Sequence, residues 1–160
     1  MSKDECDPVN RGSGKTDNFV LADFFPYQTR VFYKHVSQSV SRIYETRYGM
    51  KPYEWRTIAI LGRDRALTAA QVVELSSIDK VSVSRAVSAL RKRGWIIEKT
   101  NRKDGRSKML QLSVAGIAAY DRLVPEMLAM ERNLLAPLDS AEIAELRRLM
   151  EKVRLAGMAE

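Results

Sequence analysis

Residues 68–95 read TAAQVVELSSIDKVSVSRAVSALRKRGW and contain two helix starts a dozen residues apart. Thr68 followed by Gln71 is a capping-box spacing, in which a hydroxyl and an amide satisfy each other's open backbone donors. The helix it opens carries Val72 and Leu75 inward and ends near Ser77. Asp79 then caps a second helix, whose inward positions are Val83, Ala86, Val87 and Leu90, and Gly94 stops it. Two short helices joined by a tight turn are a helix-turn-helix, a unit whose second helix can enter a major groove.

With those four apolar residues inward, the second helix must point Ser82, Ser84, Arg85, Ser88, Arg91 and Lys92 outward. Small hydroxyls allow close approach to a duplex, and Arg85 has the reach and forked donors to hold guanine O6 and N7. After Gly94 the apolar period changes from 3.6 to 2. Residues 95–99 and 109–112 are short strand-like runs around a polar turn, 101–108, that contains Asp104-Gly105, so they form a basic β-hairpin wing. Its cations suit a neighbouring minor groove, where the potential is negative. Asp104 is expected to orient Arg106.

The net charge of +7 is concentrated here. Residues 80–108 hold ten of the 27 Lys and Arg and two of the 20 acids, Glu98 and Asp104, while the remainder is close to neutral. That is the footprint of a phosphate-binding surface rather than of a solvated face with acids interspersed. The candidate DNA-contacting residues are Lys80, Ser82, Ser84, Arg85, Ser88, Arg91, Arg102, Lys103, Arg106 and Lys108.

Outward from this centre the chain reads as helices. Phe25, Phe32, Val36, Val40, Ile43 and Tyr44 repeat at helical spacing over about 24–48, with Gly49 as a stop. Pro52 opens a largely buried helix to about residue 62 through Trp55, Ile58, Ala59 and Leu61. Ser113 caps a long helix with Ile117, Tyr120, Val124, Met127 and Leu128 along one side, bent at Pro125. Asp139 and Glu142 open a last helix carrying Ile143, Leu146, Leu149, Met150 and Val153. The fold expected is mainly α with a small β-hairpin wing (α+β): a winged helix-turn-helix with N- and C-terminal dimerisation helices. The outer helices carry longer apolar faces than the centre can cover, and a symmetric homodimer buries them.

The expected organisation is a disordered tail over 1–18 and one domain over 19–160. Its DNA-binding part spans about 52–113, and its dimerisation helices span about 22–48 and 114–157. At 45% apolar and 29% charged residues the composition is globular. No apolar run reaches the roughly 20 residues that cross a bilayer, and the start lacks a secretory apolar core, so a cytoplasmic protein with no membrane partner is expected. One cysteine, Cys6, and one histidine, His35, supply neither a disulfide nor a zinc site. With no Gly-rich phosphate loop and no nucleophile beside a base, neither an enzyme nor a cofactor or metal is expected.

At this point the residues resemble the MarR family of winged-helix regulators. The resemblance rests on Leu67-Thr68, on residues 79–85 (DKVSVSR), 90–96 (LRKRGWI) and 104–108 (DGRSK), and on Leu112-Ser113 with Gly116. It is specific between about 67 and 116; the flanking helices match in order and length. It implies a homodimer on a pseudo-palindromic operator in double-stranded DNA, acting as a repressor released by a small aromatic or phenolic ligand. The alternative is a DNA-binding regulator or architectural protein without an effector. By resemblance, Ser82, Ser84 and Arg85 take recognition-helix positions and Arg106 the wing position, while Val81 stands where a small polar residue is usual. An aromatic acid held between the DNA-binding part and the dimer helices implies Phe32, His35 and Trp55 as effector residues, with His35 as the cation.

Overall fold

In the computed structural model the described residues are 19–62, 65–100 and 107–157. The expected tail, with Cys6, lies outside them. The chain divides into two compact units between His35 and Val36, each described by itself.

In the first unit a 3-10 turn at Leu21–Asp23 leads into the opening half of α1 (Phe25–Tyr48). The Phe19 and Phe24 rings meet edge to face at 5.5 Å, and the Gln28 amide donates to the Ala22 carbonyl. Phe25 and Phe32 of the expected helical face are exposed, as are Phe19, Leu21 and Phe24.

The second unit holds the core. The end of α1 brings Val40, Ile43 and Tyr44 to it, and Gly49, at φ +58°, turns the chain into α2 (Pro52–Leu61). Next come β1 (Leu67–Thr68), α3 (Ala69–Ser76), α4 (Lys80–Lys92), β2 (Ile96–Thr100), β3 (Lys108–Leu112), α5 (Val114–Leu135) and α6 (Ser140–Ala156). Ile58, Leu61, Val72, Val83, Leu90, Ile96, Leu110, Leu112 and Leu123 form one buried cluster.

The capping logic holds. Thr68 and Gln71 cap α3 reciprocally, Asp79 accepts from the Ser82 N–H, Ser113 from the Gly116 N–H, and Asp139 and Glu142 close the box of α6. The hairpin also forms, with Ile96 opposite Leu112 and Thr100 opposite Lys108.

Three inward assignments change. In α2 the buried residues are Glu54, Thr57, Ile58 and Leu61, while Ala59 is exposed and Trp55 half-buried. Burial of Glu54 is made tolerable by the Lys51 N–H (3.3 Å) and the Arg93 guanidinium (3.7 Å). In α3, Leu75 is exposed and Ser76 and Ile78 go inward instead. Ser77 adopts a left-handed conformation (φ +52°) that redirects the chain, and the Ser76 hydroxyl takes the Ile78 N–H. In α5 the buried line is Gly116, Ala119 and Leu123, whose small leading residues let the helix lie close to the sheet. Ile117, Tyr120 and Met127 pack beside it, and Leu128 is exposed.

One strand was not expected. β1 pairs antiparallel with β3, Leu67 opposite Leu110, which makes a three-stranded sheet in the order β1-β3-β2. The α1 and α5 helices are joined by Glu126, which takes hydrogen bonds from Arg47 (2.7 Å) and the Tyr48 hydroxyl (3.2 Å). Helix α6 has no buried residue, and Leu149, Met150 and Val153 on it are exposed.

Candidate nucleic-acid interface

Helix α4 is seated by its inner face: Val83, Ala86 and Leu90 are fully buried and Val87 packs beside them. On the opposite side Lys80, Val81, Ser84, Arg85, Ser88, Arg91 and Lys92 are exposed, as the periodicity requires. Ser82 differs. It is half-buried, its N–H bonds Asp79 Oδ1 at 2.9 Å, and its hydroxyl donates to Asp79 Oδ2 at 2.6 Å. Ser82 is therefore part of the cap that sets where the helix begins.

These bonds, first the Ser82 hydroxyl and then the Ser82 N–H, hold the Asp79 carboxyl below its ordinary range. A carboxyl depressed in the folded state stabilises above its unfolded pKa, and that contribution fades as pH falls through the folded one. Asp79→Asn keeps a capping side chain but removes the titration. Wild type is thus expected to melt higher than Asp79→Asn at pH 7, with the gap closing towards pH 3 in thermal melts.

At the far end of α4, Glu98 on β2 accepts from Arg91 Nη1 (3.0 Å) and from Lys108 Nζ on β3 (2.8 Å). The Lys108 hydrogen bond, ahead of that from Arg91, holds Glu98 below the usual carboxylate range against its own burial. The recognition face is therefore less uniformly cationic than the charge count implies, because one acid serves two of its cations. Sequence reading counted Glu98 and gave it no role. The signal lay in the strand register: Glu98 sits opposite Leu110, so Lys108 is its diagonal neighbour on the same face.

Arg93 also has an internal task. It donates to the Tyr48 carbonyl (2.8 Å) and the Gly49 carbonyl (2.7 Å) at the end of α1, and its guanidinium lies 5.3 Å from the Trp95 ring centroid. It fastens the end of α4 to the end of α1.

Lys99, Thr100 and Lys108 are exposed along the hairpin. Its tip, 101–106, lies outside the described residues, and with it Arg102, Lys103, Arg106 and the expected Asp104–Arg106 contact. A cleft between α4 and the hairpin is lined by Lys80, Ser84, Val87, Glu98, Ser107 and Lys108, with Thr68 and Gln71 across from them. Of the expected effector residues, Phe32 and His35 are exposed in the first unit, and Trp55 packs against the core of the second.

Among the described residues no group of three or more His, Cys, Asp or Glu side chains could hold a metal ion, and no helix is long and apolar enough to cross a membrane. A helix-turn-helix held on a three-stranded sheet and flanked by long helices defines a winged helix-turn-helix protein. Residues 48–107 match the model of the MarR family. Over this central part the chain is similar to the MarR family of transcriptional regulators, and the curated relatives it resembles are themselves transcriptional regulators.

It is 26% identical over 121 residues to the HTH-type transcriptional regulator PecS of Dickeya dadantii, covering 74% of this chain and 72% of the relative. Among solved structures it is similar to the PcaV transcriptional regulator of Streptomyces coelicolor in complex with its natural ligand. The TM-score is 0.72 at 24% identity, over 89% of this chain and 98% of that one. It is also similar to the S. aureus MepR–DNA complex, with a TM-score of 0.74 at 18% identity over 83% and 98%. At these identities the two structures establish the fold.

Proposed function

We propose that the protein is a sequence-specific reader of double-stranded DNA that binds a pseudo-palindromic operator as a homodimer in the cytoplasm. In this reading it is a repressor released by a small aromatic or phenolic ligand. The observation that carries the reading is the exposed face of α4, where Ser84, Arg85 and Ser88 project beside a basic hairpin while the opposite face is locked into the core. Residues 52–113 form the DNA-binding part. Lys80, Ser84, Arg85 and Ser88 address the major groove and the hairpin cations its neighbour. That MepR has been solved with DNA supports the first step.

The dimer is supported by α6, whose exposed Leu149, Met150 and Val153 leave an apolar face open to a second copy. The helices over 22–48 and 114–157 supply it. Release by a ligand is supported by PcaV, solved with its natural ligand, with Phe32, His35 and Trp55 as the residues to test.

The test is fluorescence anisotropy on a duplex from upstream of the protein's own gene and on random duplex, each titrated with salt. A dimer neutralising 6–10 phosphates loses about 10³–10⁵ in affinity between 50 and 200 mM salt. The upstream duplex is expected to bind more tightly than random at every salt concentration. Absence of salt-dependent binding to either would refute the reading.

A further inference from the structure

A duplex seated on both α4 and the hairpin runs its backbone across the cleft between them. Of the residues lining that cleft, Glu98 is the one carboxylate among those described. An acid on a surface meant for a polyanion opposes binding unless it serves another purpose. Glu98 is held in place: its side chain is 18% exposed and it grips two cations from two different elements, Arg91 in the last turn of α4 and Lys108 at the start of β3. Both contacts are charge-assisted, short, and close a triangle across α4, β2 and β3.

We propose that Glu98 is a positioning residue that ties the hairpin to the recognition helix and withholds Arg91 and Lys108 from phosphates, lowering affinity for every duplex so that a larger share of binding comes from base contacts. The inference rests on the DNA-binding reading above. Its physical basis is competition. A phosphate reaching Arg91 or Lys108 must displace a carboxylate already bonded to it, so each of these cations contributes less than a free one to counterion release. That loss applies to every duplex alike. Base contacts from Ser84 and Arg85 are untouched, so the share of binding that depends on sequence grows.

The test compares wild type, Glu98→Gln and Glu98→Asp on random duplex and on the duplex from upstream of the gene, across salt, with thermal melts alongside. Glutamine keeps the shape and one acceptor but no charge; aspartate keeps the charge. Releasing one or two cations in each subunit of the dimer at ~0.9 each is expected to steepen the log–log salt slope of Glu98→Gln by about 1.8 to 3.6. Its affinity for both duplexes at 0.1 M salt should rise by more than roughly tenfold with the upstream-to-random ratio unchanged, and Glu98→Asp should keep the wild-type slope.

A Glu98→Gln protein with wild-type slope and affinity, whatever its melting temperature, overturns the inference and leaves the DNA-binding reading standing. Wild type that binds no duplex in a salt-dependent way overturns both.

Discussion

Gly116→Ala is expected to lower the melting temperature by about 10 °C, where alanine for glycine inside a helix is ordinarily a gain. A Cβ on Gly116 would run into the Trp95 carbonyl oxygen and lie 2.9 Å from its carbon. The obstacle is the backbone of the residue just before β2 rather than the end of a flexible side chain, so α5 itself must move. It is fastened there: the Ser113 N–H bonds the Trp95 carbonyl at 2.9 Å and the Ser113 hydroxyl bonds the Gly94 carbonyl at 2.6 Å. Overpacking a close contact costs about 1–3 kcal/mol and occasionally more, and a backbone-to-backbone clash belongs at the upper end. Differential scanning calorimetry reads the shift directly. A variant as stable as wild type, or more so, would mean that α5 does not approach the Trp95 backbone this closely.

Arg85→Ala should leave the melt within experimental error and remove most of the sequence preference. The side chain is exposed on a helix seated by Val83, Ala86 and Leu90, so its truncation opens no cavity. A bidentate arginine to guanine is worth about 1–3 kcal/mol of discrimination in each half-site, or roughly five- to 150-fold per subunit. Random duplex loses only the share owed to one cation, so the ratio of upstream to random affinity should collapse towards unity. Anisotropy with both duplexes separates this from a general loss of charge, which would weaken the two equally.

Local chemistry was what the sequence expressed most clearly. Thr68 with Gln71, Asp79, Ser113, and Asp139 with Glu142 each marked a helix start within a residue of where it lies, because a cap is made by neighbours a few positions apart. Features that depend on distant partners were silent. β1 is two residues long and exists through its pairing with β3, so no periodicity announces it. Glu54 is buried because Arg93 arrives from the end of α4, and a helical wheel drawn on α2 alone puts Ala59 inside instead. Leu75 was misplaced because Ser77 turns left-handed just after α3 and hands the inward position to Ile78.

The candidate site divides in the same way. The outward row of Ser84, Arg85 and Ser88 follows from the inward row of the same helix. The Ser82 cap role is local, with Asp79 three positions away, whereas the Glu98 clamp and the Arg93 tie involve partners on other elements and appear only once α4 and the hairpin are placed.

The central claim is that α4 lies in a major groove with Arg85 on a guanine edge, and protection of guanine N7 from dimethyl sulfate on the upstream duplex tests it most directly. Two clusters of protected guanines about 10 base pairs apart are expected, one for each subunit, with protection lost in Arg85→Ala. Unchanged N7 reactivity under saturating wild-type protein would contradict it and place the bound surface elsewhere.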